Sequence, residues 1–512
     1  MTTGTVTPYR SRVTVRRESF WHLVHAEWTK FRTVRGWVIA VLITILAITA
    51  LAFLAGNVSG GCTAINGASG TAGTAACPAQ PTGPGGEPVQ DAFYFVHQPL
   101  TGNGTITVQL ASITGQVYVG PNQTAPGLQP WSKAGIILKE NASQGSAYAA
   151  MMATGSNGVR MQWNYVNDAH GLPGSVSASA PRWLRLVRNG DTVTGYDSAD
   201  GTHWTLVDTV TLPGLTATVQ AGLFTAAPGT DAATVTGVFR NIGLSWPATG
   251  WTATNVGGTG PNGVGQPGTL SQSGSALTVT GGAGDIATVT GVISVQRALL
   301  GTCFGLIPLI VVSAMFITAE YRRGLIRVSL TAAPRRGRLL AAKAVVIAAI
   351  GFAAGVVAAA LALAAATPLV RRTGIPVWPA PLLTEARMVA GTGALLALAG
   401  VLALAIAAIV RRSAPAIAAV IVVIFVPYLL TVGPQGGGGP HGGGGGGWVL
   451  QATPVAALAV QQVLPKFYQV IAVYGVNEGY YPLPGWAGLA VECAWAAAAL
   501  ALAFYLLRRR DA

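Results

Sequence analysis

The sequence predicts an α-helical membrane protein of about six spans, with an all-β jelly-roll sandwich domain inserted after the first span. Three observations carry this. Charged side chains are only 9% of the 512 residues while apolar ones are 51%, and mean hydropathy is +0.49. Average soluble chains carry about 25% charged residues. Several apolar runs are long enough to cross a bilayer, which takes about 20 residues. Residues 56–296 are of another kind, rich in Gly, Thr, Ser and Asp and poor in aliphatic runs. This balance excludes a cytosolic enzyme and a disordered chain.

The formal charge of +14 invites a nucleic-acid reading until it is located. Residues 1–36, 319–343, 411–415 and 508–512 hold 19 of the 31 Lys/Arg and four acids, whereas residues 56–296 hold seven bases and ten acids. Positive charge in short segments beside apolar runs is the positive-inside pattern of a membrane protein. No basic stripe alternates with aromatics on a polar scaffold, so nucleic acid is not an expected partner.

In chain order, Ser19–Arg32 comes first. Phe20, Leu23, Val24, Trp28 and Phe31 recur at three and four residues and give one apolar face. Trp21, Trp28 and Phe31 suit the membrane interface, and Lys30, Arg32 and Arg35 suit anionic lipid headgroups. A helix lying on the inner leaflet is expected, set off by Thr33-Val34-Arg35-Gly36 from the first span, Trp37–Ala55. Ala50-Leu51-Ala52 fits a signal-peptidase site, but 36 residues precede the run and the run is longer than a signal core, which favours a retained span.

The segment 56–90 is a Gly/Pro-rich linker holding Cys62 and Cys77. A disulfide between them would close a loop of about 15 residues and stabilise by ~3 kcal/mol, in a compartment that allows it. Metal ligation is the alternative, though no His lies near. The insert proper, residues 91–290, carries short alternating segments at Thr105–Leu110, Ala134–Leu138, Val159–Tyr165, Trp183–Arg188, Thr192–Tyr196, Trp204–Val210 and Ala217–Phe224. Turn residues such as Asn189-Gly190 and Asp200-Gly201 bound them, as in a β-sandwich. The Asp200 turn reads as hairpin geometry, not as a calcium site.

Residues 297–512 supply five further spans: Ala298–Ala319, Ala344–Val370, Met388–Val410, Ala414–Val432 and Trp486–Leu507. The Lys/Arg bias places the N-terminus, the 319–343 loop, the 411–415 turn and the C-terminus on the cytoplasmic side of the plasma membrane, and the sandwich outside. The 434–485 segment, with its glycine run, is then an extracytoplasmic loop. Cys303 and Cys493 fall within spans as small apolar residues. Glu492 lies about two turns inside the last span; it is either a functional intramembrane acid or a side chain snorkelling to the outer interface.

Two resemblances add to this. Asp91-Ala-Phe-Tyr-Phe-Val-His-Gln-Pro-Leu100, Gly104–Val108, Trp131–Ile136, Gly158–Met161, Trp183–Leu186 and Ser198-Ala-Asp-Gly-Thr-His-Trp204 resemble, in order, the concanavalin/laminin-G-like domain at the C-terminus of some xylosidases. A Gly-x-x-Asp-Ile stretch that precedes the body in that family follows it here, at Gly281–Ile286, so residues 251–287 are candidate permuted strands. Such domains often bind glycans. Trp131, Trp163 and Trp183 form either a sugar-stacking platform or part of the sandwich core. No acid pair marks a glycosidase.

His25-Ala-Glu-Trp-Thr-Lys-Phe-Arg32, then Glu320-Tyr-Arg-Arg-Gly324, Pro334-Arg-Arg-Gly-Arg338 and Ala342-Lys343 resemble motifs of type-2 ABC exporter permeases of the actinobacterial type. Gln451–Gln462 resembles the external helices of that family, which dip towards the outer leaflet. The resemblance implies the permease subunit of an ABC transporter, an exporter, working as a homodimer or heterodimer with a separate ABC-type ATPase. It also implies that the Trp21–Arg35 helix and the 320–343 loop are the ATPase-coupling surface, through Trp28, Lys30, Glu320, Tyr321, Arg322, Arg323, Gly324, Arg335, Arg336 and Arg338. Helical spacing puts Glu320 beside Arg323 and Arg327, and the expectation is that Glu320 pairs with Arg323 or with an arginine of the partner. No lysine follows a G-x-x-x-x-G run, so the chain carries no phosphate cradle, no cofactor of its own is expected, and ATP is left to the partner subunit. The competing reading is a membrane-anchored glycan-binding or sensing protein, or a structural protein of the envelope; simple anchoring needs only one span.

Overall fold

The computed structural model describes residues 19–58, 62–63, 74–75, 81–120, 123–228, 233–258, 267–288, 295–322, 336–372, 377–432, 447–470, 476 and 479–509. The chain opens with α1 (Phe20–Thr33) and α2 (Arg35–Val58). Val34 between them has extended backbone, which ends α1 and turns the chain into the span. After the β domain and a 3-10 turn at Val295–Leu299 come α3 (Thr302–Arg322), α4 (Arg336–Arg372), α5 (Leu382–Val410) and α6 (Ser413–Val432). The short α7 (Gly447–Ala452), a 3-10 helix Pro454–Gln461 and α8 (Gly485–Arg509) complete the chain.

Six of these helices, α2 to α6 and α8, are long and apolar enough to cross a membrane. In the most apolar stretch of each helix, 67% is buried in α5 but only 17% in α2 and 22% in α6 and in α8, so α5 is the centre of the bundle and the other three form its rim. Helices in lipid associate by close backbone packing at small residues. Here α4 and α5 meet at glycines: a Cβ on Gly355 would lie 2.8 Å from the Cα of Gly393. The 3-10 helix is buried along its length between α5 and α8. Gly488 of α8 sits on its Ala456 carbonyl. Gln461 donates to Thr302 Oγ1 (2.9 Å) and Thr392 Oγ1 (3.0 Å), so its buried amide is satisfied.

The linker strands β1 (Cys62–Thr63) and β2 (Thr74–Ala75) pair with each other. The domain itself runs β3 (Val89–Asp91), β4 (Phe93–Thr101), β5 (Gly104–Gly120), β6 (Gln123–Pro126), β7 (Lys133–Lys139), β8 (Tyr148–Thr154), β9 (Val159–Trp163) and β10 (Asn167–His170). It continues with β11 (Arg182–Asn189), β12 (Thr192–Ser198), β13 (Thr205–Thr211), β14 (Thr218–Ala226) and β15 (Thr234–Leu244). It closes with β16 (Thr252–Val256), β17 (Thr269–Ser273), β18 (Ala276–Gly281) and β19 (Ile286–Thr288). One antiparallel sheet has the order β10-β9-β8-β7-β14-β4-β16; the other has β13-β12-β11-β5-β15-β18-β17, with β6 added to β5. Their inner faces share one core, with Val96, Ile136 and Met151 from one sheet and Ile106, Leu186 and Phe239 from the other. The candidate permuted segment thus extends both sheets.

The first sheet is also covered on its other face. Phe93, Phe95, Ile137, Tyr148 and Phe224 form a second core there, beneath the β3–β19 ribbon. Lys133 and Lys139 stand on the same side of β7 and reach that ribbon. Lys139 pairs with Asp91 at 2.7 Å and Lys133 with Asp285 at 2.5 Å, all four side chains at most 5% exposed. Tyr165 donates to Asp91 at 2.6 Å. Burial pulls the Lys139 ammonium below its ordinary range, and Asp91 opposes that pull.

The turn that carries Tyr165 also touches the bundle. Asn164 and Tyr165 take left-handed backbone (φ 44° and 63°). Val166 beside them packs against a cluster of Trp378, Leu464, Phe467 and Tyr480. Gln469 donates to the Val166 carbonyl at 3.0 Å.

Candidate functional site

The end of the bundle opposite the sandwich gathers the motifs singled out in the sequence. The inward face of α1 carries Phe20, Leu23, Val24, Glu27 and Phe31, with Glu27 and Phe31 fully buried. Phe31, Trp37 and Phe316 pack ring on ring at 5.2–5.7 Å, which fixes α1 across the start of α2 and the end of α3. Trp21 and Trp28 face outward, 70% and 43% exposed, as an interfacial helix requires.

Four charges close a ring beside these aromatics. Lys343 donates to Glu27 Oε2 at 2.6 Å and to Glu320 Oε1 at 2.8 Å. Lys30 donates to Glu27 Oε1 at 2.7 Å and to Glu320 Oε1 at 3.2 Å. The ring ties α1 to the last turn of α3 and the second turn of α4. Lys343 also lies 4.4 Å over the Phe316 ring, a cation–π contact. Three members are buried; only Lys30, with 45% of its side chain exposed, opens the ring to the outside. Burial of Lys30 works against its charge, but its hydrogen bond to Glu27 and the charges of Glu27 and Glu320 outweigh that and hold it above the ordinary lysine value.

Glu320 pairs with Lys30 and Lys343, while the expected pairing with Arg323 falls outside the described residues. Arg323, Arg327, Gly324, Pro334 and Arg335 lie outside the described residues, as does the side chain of Arg336. Arg322 is exposed and Arg338 half-buried at the start of α4. Tyr321 lies under the Arg411 guanidinium, 5.4 Å from its ring centre. Arg411 is the left-handed C-cap of α5, so this contact joins α3 to the α5–α6 turn. Glu27 and Lys343 are ring members that the sequence reading left out of the site. Both stand in the motifs it quoted, and a lone lysine at the head of an apolar run was itself a signal.

The remaining candidates sit apart. Glu492 faces inward: it is 2% exposed, its Oε2 has no hydrogen-bond partner, and it lines a cavity with Cys303, Tyr428, Pro454 and Leu458, so it does not snorkel. Trp131 precedes β7 beneath the Arg160 guanidinium. Trp163, on β9, packs partly into the sandwich core. Trp183, on β11 of the other sheet, is closed over by Gly201. The three indoles are not brought together. Asp200 accepts from the backbone of Thr202 and His203, both at 2.8 Å, and these bonds shape its turn. Cys62 lies opposite Ala75 in the β1–β2 register; Cys77 lies outside the described residues.

A bundle of six membrane-length helices, with an amphipathic helix locked to one end by buried charge, defines a multi-pass membrane protein. The chain belongs to the ABC-2 transporter family: the family model described as "ABC-2 family transporter protein" matches residues 21–512. It is thus an ABC transporter permease. A comparison with curated proteins gives no match. Among solved structures, a functionally unknown protein from Saccharomyces cerevisiae is similar at 15% identity and TM-score 0.23, over 34% of this chain and 84% of that one. Two structures of scytalido-glutamic peptidase with transition-state analogues are similar at 10% and 8% identity and TM-scores of 0.24 and 0.23, over 39% of this chain and all of theirs. Likenesses this distant carry neither fold nor activity to this chain.

Proposed function

We propose that the chain is the permease subunit of an ABC exporter, driven by a separate ATPase that binds ATP and docks against α1 and the 320–343 segment. The end of the bundle carrying α1 is then cytoplasmic and the sandwich extracytoplasmic, in keeping with the positive charge at 1–36, 319–343, 411–415 and 508–512. The single observation behind this reading is the ring of Glu27, Lys30, Glu320 and Lys343. A push on the exposed face of α1 passes through it into two spans at once. Trp28, Arg322 and Lys30 offer that face to the partner. The working unit is a dimer of this chain or of this chain with a homologue, with lipid around the rim helices.

The test is co-purification of the ATPase from membranes holding wild-type chain, Trp28→Ala or Glu320→Ala. Both variants should insert normally and recover several-fold less ATPase. Equal recovery from all three would leave the ring as a structural clamp only. The same reading places Cys62 and Cys77 in an oxidising compartment as a disulfide, since the β1–β2 register brings the chain back to within two residues of Cys77. Mass spectrometry of an unreduced digest should find the linked peptides, and two free thiols would refute it.

A further inference from the structure

Near the sandwich end of the bundle, α2, α3 and α6 leave a groove of about 590 Å³ between them. Its walls are apolar: Leu51, Leu54, Leu300, Phe304, Ile307 and Phe425. Sites for drug-sized molecules span about 300–1,000 Å³. The inner wall is made by Cys303 and Tyr428. Behind that pair lies the smaller cavity, about 10 Å³, and Cys303, Phe425 and Tyr428 border both spaces. Glu492 lines the smaller one.

Three facts make Glu492 unusual. It is 2% exposed, and its Oε2 has no partner. Among the described residues, no Lys or Arg lines either space. Helix packing does not need it, because α8 meets the 3-10 helix through Gly485 and Gly488. A buried carboxylate oxygen without a donor calls for an explanation, and an intramembrane acid points to function.

We propose that the groove and Glu492 together form a binding site for a lipophilic cation. The apolar body lies in the groove, the side chain of Tyr428 swings aside to join the two spaces, and the cation meets Glu492, whose buried neutral carboxyl gives up its proton to water as the cation arrives. The charge decides between occupants. An acyl chain or a second copy of this protein would fill the groove but leave Glu492 unanswered. An anion would meet apolar walls backed by an acid. This rests on the permease reading and names a substrate class for it.

The experiment compares tetraphenylphosphonium with tetraphenylborate, which share a shape and differ in charge. Each is titrated as radiolabelled ligand against the full chain in neutral phosphatidylcholine nanodiscs. The phosphonium should bind saturably and the borate should not. Glu492→Gln should weaken phosphonium binding at least tenfold. Leu300→Trp, at a position 54% exposed in the groove mouth, should do the same without touching the acid, and it serves if Glu492→Gln fails to fold. Equal binding of both ions, or phosphonium binding unchanged in both variants, would reduce the groove to a lipid-filled cleft. No phosphonium binding at all would mean that lipid or a second copy fills it. Because the assay needs no ATPase, loss of binding with normal ATPase recovery overturns this site alone. Specific binding with no ATPase recovered overturns the proposed ATPase docking and leaves the site standing.

Discussion

At the scale of single residues, the charge ring is held by mutual dependence. Two buried ions of opposite sign roughly offset their desolvation, but removing one strands the other. Lys343→Ala leaves Glu27 with only the half-exposed Lys30, and should cost about 3–5 kcal/mol. The double variant Lys343→Met with Glu27→Leu should recover most of that loss. Thermal unfolding of detergent-solubilised protein reads both; a single variant as stable as the wild type would show that the ring contributes nothing. Half of this ring was legible in the sequence. Lys30 and Glu320 were selected, because both stand in motifs that resemble those of ABC exporter permeases. Glu27 was hidden: on α1 it occupies a position of the apolar face, between Val24 and Phe31, where the pattern leads one to expect a hydrophobic residue. The two lysine partners of Glu320 were missed for a related reason. Helical spacing points to residues three or four along, while these partners are 290 and 23 residues away.

Among the elements, long apolar spans and strands bounded by turn residues were easiest to foresee. Each expected span overlaps a membrane-length helix, since lipid demands a long uniform run. The seven expected strand segments fall on β5, β7, β9, β11, β12, β13 and β14. Strand β8 was missed because Tyr-Ala-Ala-Met-Met-Ala-Thr does not alternate; both of its faces are covered, so no polar side is required. The β3–β19 ribbon was invisible for the opposite reason: each strand is three residues long and gains its stability from Lys133 and Lys139, far off in sequence. Helix packing offers its own test. A side chain on Gly355 has no room against Gly393, so Gly355→Leu should separate α4 from α5 and destabilise the bundle by at least the 1–3 kcal/mol typical of overpacking. Folded yield and melting temperature measure it. A variant that melts with the wild type would mean these helices do not rely on close backbone contact.

For the whole molecule, the arrangement makes a claim about sides. Thr202 is exposed on the sandwich, and Arg508 is exposed at the far end of α8. In a Cys493→Ala background, an impermeant thiol reagent applied to intact cells should label Thr202→Cys and spare Arg508→Cys. The reverse pattern would invert the topology. The sequence foretold that a β domain interrupts a helical bundle, because the two parts differ in composition. It gave no hint of how they are joined, since Val166 and Phe467 carry no motif and meet only in three dimensions. That joint has a mechanical meaning. Val166 is seated in the Trp378–Tyr480 cluster and pinned by Gln469, while the residue beside it, Tyr165, is anchored to the domain's buried aspartate. The socket is built from the segments that lead into α5 and α8. Any shift of those segments must therefore either unseat the valine or carry the domain along. Among the described residues the valine is a tooth that gears the sandwich to the bundle, so whatever grips the domain acts as a brake on the helices beneath it.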